Sequence, residues 1–226
     1  MPHVSTAVIG LIFCMQSTLL EDFVLFTLDE KTGARLLLPQ HALGLGLAGA
    51  ILADLERAGR ISTTHHRIDI LDPSLTGDSL LDPWLAMLTQ ERKPHSIVYW
   101  LSVLAESWKT IDESVLERLV ERGLVQRRDK KILWVIGIHR YPPLHNEERV
   151  AVRKRLRNII SGKSAPTPFD ATLLGLLDAT YLLDEAVGAI GNEENAERIR
   201  SITAANEIGR EVAGVDVAQR HDLHLR

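Results

Sequence analysis

Four groups of side chains in this 226-residue sequence have the type and spacing of working chemistry. Gly44-Leu-Gly46-Leu-Ala-Gly49 has the spacing of a dinucleotide fingerprint, in which glycines let a backbone approach a pyrophosphate. Such sites also need an acid about 20 residues on, for a ribose hydroxyl. Gly59 to His66 contains none, and Asp69 lies too far, so the glycines read as helix packing. Gly162-Lys163-Ser164 ends like a phosphate-binding loop, but Arg157 stands where its first glycine is required, and no cradle can form. His65-His66 and the pair His221 and His224 lack cysteines or further ligands at metal spacing, and read as surface histidines. Asp78 and Asp82, at i and i+4, could share a proton. Helix capping explains the first, and a first-turn position the second. No enzyme motif remains, and the sequence predicts no catalytic residue, cofactor or metal.

Charge is the next signal. The net charge is −4, yet Arg122 to Lys163 carries 12 Lys/Arg against 3 Asp/Glu, or +9, which leaves −13 for the rest. Such asymmetry points to an anionic partner for the basic part; its plain alternative is a solvated surface. Arg127, Arg128, Lys130 and Lys131 fall at a predicted hairpin turn beside the apolar Ile132-Leu133-Trp134. Basic residues at an anionic leaflet are worth about 1 kcal/mol each. Ile132, Trp134 and Ile136 would then meet the membrane or a second copy; the alternative is that Trp134 and Ile136 are core. Apolar content of 45% and charged content of 25% are ordinary for a soluble globular chain. The single Cys14 excludes a disulfide within the chain and fits a reducing compartment. Ala7 to Met15 is too short to span a bilayer, which takes roughly 20 apolar residues, and no Lys or Arg precedes it. It reads as a core segment.

These groups must be positioned by a unit that the chain uses twice. Leu52, Leu55, Gly59, Ile61 and Ile68 match Leu116, Leu119, Gly123, Val125 and Ile132 at one constant offset. Each copy reads as helix, glycine stop, strand, turn, strand. The rest is mainly helical: helices are predicted at 19–28 with Ser17 or Thr18 as N-cap, 43–58, 80–90, 96–106, 110–122, 147–161, 171–190 and 193–212. A short strand is predicted at 35–38 and a long apolar one at 132–138. The repeated unit suits a winged helix, but Asp112, Glu113, Glu117 and Glu121 on the second copy's helix repel the phosphates that provide most affinity for DNA. No nucleic-acid partner is expected.

Three stretches together narrow the choice: Gly46-Leu-Ala-Gly-Ala-Ile-Leu-Ala-Asp-Leu-Glu-Arg-Ala-Gly-Arg-Ile61, Pro73-Ser-Leu-Thr-Gly-Asp-Ser-Leu-Leu-Asp82 and Leu116-Glu-Arg-Leu-Val-Glu-Arg-Gly-Leu-Val125. With Leu19-Leu-Glu-Asp-Phe23 ahead and His139-Arg-Tyr-Pro142 behind, the chain resembles the Golgi phosphoprotein 3 family over roughly Thr18 to Val187. The resemblance implies a mainly α fold: a single domain with a central helical bundle wrapped by amphipathic helices, and two small β-hairpins. The expected division is an extension over 1–17, the domain over 18–190, a C-terminal helix packed on it over 191–213, and a flexible tail over 214–226.

It also implies a function. Eukaryotic members are non-enzymatic peripheral membrane proteins that bind phosphatidylinositol 4-phosphate, hold client glycosyltransferases, and oligomerise through a protruding hairpin. Carried over by position, the family's headgroup tryptophan falls on Pro39 and one arginine on Ala48. Two further arginines fall on Lys109 and Asp112, so only Lys109 keeps a charge for lipid phosphate. The basic arm of eukaryotic members has no counterpart ahead of Thr18, so a bacterial-type member is expected. The resulting expectation is a cytoplasmic adaptor, peripheral on the membrane face, that meets an anionic phospholipid or phosphoinositide headgroup and protein clients and forms a homo-oligomer. A protein-interaction scaffold without lipid binding and a winged-helix binder are the alternatives.

Overall fold

The computed structural model describes residues 17–91, 93–132, 136–188, 191 and 193–224. Helix α1 (Leu19–Phe26) is buried along its whole length. Helix α2 (Gln40–Arg57) runs through the centre of the molecule. Strands β1 (Ile61–Ser62) and β2 (Asp69–Ile70) pair antiparallel, Ile61 opposite Ile70. Helices α3 (Asp82–Gln90), α4 (Ile97–Glu106) and α5 (Trp108–Glu121) follow. Strands β3 (Arg128–Ile132) and β4 (Ile136–Arg140) form the second hairpin. Helices α6 (Glu147–Ile160), α7 (Pro168–Ala179), α8 (Leu183–Val187), α9 (Glu193–Ala204) and α10 (Glu207–His224) complete the described chain. The expected mainly helical single domain with two small hairpins is the architecture observed.

Small residues decide the packing. Gly44, Gly46 and Gly49 lie inside α2, not in a phosphate loop, and each accepts a different neighbour. Gly46 takes the Phe23 ring of α1 against its backbone. Gly44 sits beside the Ala105 carbonyl of α4, and Gly49 beside Leu176 of α7 and Val212 of α10. Gly59 and Gly123 end the two repeated helices at φ +68° and +71°. In both, the second residue past the last turn donates back across it: Arg60 N to Leu55 O (3.0 Å) and Leu124 N to Leu119 O (2.9 Å). The Thr-Gly-Asp element between the copies is a staple. Asp82 Oδ1 accepts from Thr76 N (2.7 Å), Asp78 Oδ1 from Leu80 N (2.8 Å), and Asp78 pairs with Arg118 of α5 (2.6 Å).

Three elements differ from expectation. Residues 35–38 form no strand; Arg35 makes a single bridge to Leu28. The apolar run 132–138 is not one strand, because Ile132 pairs with Ile136 and the chain reverses between them. The basic residues therefore lie in and just before β3 rather than at the turn. The helix expected over 193–212 breaks at Asn206, which caps α10 through its side chain (Gly209 N to Oδ1, 2.7 Å). Helix α10 then continues past Gly214 to His224.

Charge is buried around the start of α1. Thr18 and Glu21 form a capping box, and Asp54 of α2 accepts from Leu19 N (3.1 Å) and Leu20 N (2.9 Å). Glu21 pairs with Arg122 (2.9 Å) and Asp54 with Arg57 (2.9 Å). Asp22 has less support. Burial pushes its carboxyl up to about 6, against a hydrogen bond from the Ser17 hydroxyl and the nearby Arg155.

Two expectations follow from this packing. A Gly46→Ala Cβ overlaps the Phe23 ring, so thermal unfolding should show a loss of about 1–3 kcal/mol. A smaller loss is expected for Gly59→Ala, whose Cβ meets open space. Asp22 binds a proton more tightly folded than unfolded, so its contribution is most favourable below pH 4 and is lost as pH rises through 6. Asp22→Asn should therefore be more stable than the parent at pH 7 by roughly 2–3 kcal/mol, and the gap should close toward pH 4 in denaturant titrations. A gap independent of pH would refute the assignment.

Candidate functional site

The basic segment divides into cations that hold the fold together and cations that face outward. The arginines of helix α6 are tied to other elements to different degrees, and Arg155 and Arg157 stay exposed. Arg149 is buried with its guanidinium 5.5 Å from the Phe26 ring, and burial lowers its pKa. Arg153 pairs with Glu30 (2.5 Å) and donates to Ala186 O (2.7 Å), tying α6 to α8. Arg155 pairs with the buried Asp170 (2.6 Å), and Arg157 donates to Val187 O (2.5 Å). Lys154, Arg155 and Arg157 are nevertheless exposed, as are Val150 (49%) and Leu144 (52%).

The second hairpin is different. Its base is pinned by a bridge between Val125 and Pro143, by Gln126 N to Pro142 O (2.9 Å), and by Tyr141 N to Gly33 O (2.8 Å). Gly33 is required there, because any side chain would overlap the Tyr141-Pro142 backbone. Above that base β3 and β4 pair with each other from Arg128–Arg140 to Ile132–Ile136. Arg127 and Arg128 are exposed. Arg127 and His139 share Asp129 (3.3 and 2.7 Å), which holds the Asp129 carboxyl below its usual range, whereas Arg128 meets the neutral Gln126 Oε1 (3.2 Å). Lys130 stands opposite Ile138 and Lys131 opposite Gly137 in the register. Ile132 and Ile136 are a register pair at the far end, and Trp134 lies outside the described residues.

The positions carried over for a headgroup do not form a cationic pocket. Pro39 precedes α2 as its N-cap, without a side-chain hydrogen bond. Ala48 is fully buried. Lys109 is exposed, with its ammonium 5.6 Å from the Trp108 ring. Asp112 is buried, and burial raises its pKa against the pull of Arg35, with which it pairs at 2.5 Å. Arg35 also donates to the Thr27 hydroxyl. Sequence reasoning missed Arg35, whose partner is 77 residues away. Nearby, a cavity of about 270 Å³ between α2 and the α4–α5 junction is lined by Gln40, His41, Leu45, Ser102, Glu106 and Trp108. Its one carboxylate makes it a poor seat for a phosphate.

His66 Nδ1 pairs with Glu211 of α10 (2.6 Å), so the first hairpin's histidine is a structural tie. No group of three or more His, Cys, Asp or Glu side chains among the described residues could hold a metal ion. None of the described helices is long and apolar enough to cross a membrane.

No protein with a curated description matches this sequence. A family model does: that of Golgi phosphoprotein 3 (GPP34), over residues 19–219, from the first residue of α1 into α10. The glycine-packed central helix, the Thr-Gly-Asp staple and the doubled helix–hairpin unit all lie within that match, and the chain belongs to the Golgi phosphoprotein 3 family.

Proposed function

We propose that this chain is a non-enzymatic peripheral membrane adaptor that meets an anionic phospholipid surface through its second hairpin. The carrying observation is the separation of cations. Arg153, Arg155 and Arg157 of α6 are anchored to acids or carbonyls of other elements, while Arg127 and Arg128 stand exposed on a two-stranded hairpin. Lys130 and Lys131 lie on the same strand, and exposed Lys154, Leu144 and Val150 lie close in sequence to its base. Mixed basic and apolar groups suit a headgroup layer, where each cation is worth about 1 kcal/mol. Family membership supports an adaptor role and a hairpin-mediated homo-oligomer with protein clients. Binding on this account is electrostatic rather than stereospecific, since Asp112 and Arg35 neutralise each other where a phosphate grip would sit.

That same neutralised pair favours a second reading, a protein-interaction scaffold that has lost lipid binding. A nucleic-acid role has less support. Helix α2 is buried, and the exposed residues of α5 include Glu113, Glu117 and Glu121.

Sedimentation with vesicles separates the two readings. Binding to vesicles containing phosphatidylinositol 4-phosphate or phosphatidylserine should exceed binding to neutral ones at low salt. It should vanish near 1 M salt, where screening acts over about 3 Å. Reversing Arg127, Arg128, Lys130 and Lys131 to Glu should abolish it, whereas Lys109→Ala should weaken it only several-fold. Equal sedimentation with neutral and anionic vesicles would leave the scaffold reading.

A further inference from the structure

A cavity lies away from the hairpin, between the start of α1, the end of α2, α6 and α7. It measures about 510 Å³ and is lined by Asp22, Arg57, Glu148, Arg155, Thr167 and Phe169, among others. That volume is within the range of small-molecule sites, about 300–1,000 Å³. We propose that this cavity binds a small zwitterion, one carrying a primary ammonium and a phosphate or carboxylate a few atoms apart.

Its charged walls are unequally satisfied. Two carboxylates, Asp54 behind the cavity and Asp170 in its wall, are complete. Asp54 accepts two backbone N–H groups and Arg57, and Asp170 accepts from Thr167 N (3.0 Å), Thr167 Oγ1 (2.6 Å) and Arg155. The two that line it beside α1 are not. Asp22 is 4% exposed and, among the described residues, receives one hydrogen bond, from the Ser17 hydroxyl. Glu148 Oε1 lies 3.4 Å from Arg122, and its Oε2 is buried with no hydrogen-bond partner among the described residues. Arg122 is already shared with Glu21 (2.9 Å), so two carboxylates divide one guanidinium. A buried carboxylate short of donors is costly, and an ammonium supplies both the charge and the N–H groups.

The other wall has the opposite excess. Arg57 and Arg155 flank the Phe169 ring at 5.4 and 5.8 Å from its centroid. Each spends one nitrogen on its carboxylate, and both side chains are nearly half exposed, at 45% and 43%. Two guanidinium groups with unused donors suit a phosphate or carboxylate. Asp22 faces Glu21, Glu148 and Arg155, and its raised pKa gives the ammonium side a pH dependence. Protonation of Asp22 below about 6 removes the charge that attracts the ligand.

Calorimetric titration of the full chain with O-phosphoethanolamine at pH 7.5 tests this. Saturable binding at or below millimolar concentration is expected, weakened at least tenfold by Asp22→Asn, by Glu148→Gln, and by lowering the pH to 5. Phosphocholine has no ammonium N–H and should bind at least tenfold more weakly. Thermal melts check that the variants remain folded, and Asp22→Asn should leave sedimentation with vesicles containing phosphatidylinositol 4-phosphate, whose headgroup has no ammonium, unchanged. Failure of this site and failure of the membrane reading are thereby distinct. Vesicles of phosphatidylethanolamine compared with phosphatidylcholine tell whether the zwitterion arrives as a lipid headgroup or as a free molecule. No heat up to 10 mM phosphoethanolamine, unchanged affinity in both variants, or equal affinity for phosphocholine would overturn the proposal.

Discussion

Close contact against one small-residue helix is the constraint on which the rest depends. Helix α2 presents Gly44, Gly46, Ala48, Gly49 and Ala50 to its surroundings, so four other helices can approach its backbone directly. A glycine inside a helix is up to about 1 kcal/mol less favourable than alanine. Here the return is contact: the Phe23 ring lies where a Cβ of residue 46 would stand. Helix α1 is thereby driven into the interior with every residue buried, including Glu21 and Asp22. The capping box, the reach of Asp54 from α2, and the pairing of Glu21 with Arg122 compensate for acids taken inside. Asp22 is the residue this arrangement leaves short, and a cavity opens beside it.

Burial also explains why charge in the sequence and charge on the surface are different quantities. Helix α6 has five basic residues between Arg149 and Arg157, enough to read as a basic face. In the fold, Arg153 and Arg157 clamp α8, Arg155 satisfies Asp170, and Arg149 lies over Phe26. Long arginine stems suit this use, since they pack along apolar surface while the head finds an acceptor. On the hairpin, Arg127 meets Asp129 and Arg128 only the neutral Gln126 among the described residues, and both stay exposed.

Local rules were legible where the chemistry is local. Thr18 and Glu21, Gly59 and Gly123, and the staple at Thr76 to Asp82 act within a few residues, and sequence spacing specifies each. The helices were legible for the same reason, through their apolar periodicity. Three features were not. Residues 132–138 are uniformly apolar, so nothing in their periodicity marks a reversal, and the partnering of Ile132 with Ile136 is visible only in the register. The ion pair of Arg35 with Asp112 joins segments 77 residues apart. Glu21 and Asp22 read as acids favoured at a helix start, which they are; that both are also interior depends on Gly46, two helices' worth of chain away.

The second hairpin has a final consequence. It is joined to the helical body at its base, through Gly33, Tyr141 and the Val125–Pro143 bridge. An isolated two-stranded hairpin is marginally stable in water. Substitutions along β3 and β4 therefore leave the body's folding almost untouched, while altering whatever the strands touch. The body is held fixed by glycines that tolerate no exchange, and the hairpin is nearly free of such demands. Selection can retune the exposed arm, lineage by lineage, without renegotiating the scaffold that carries it.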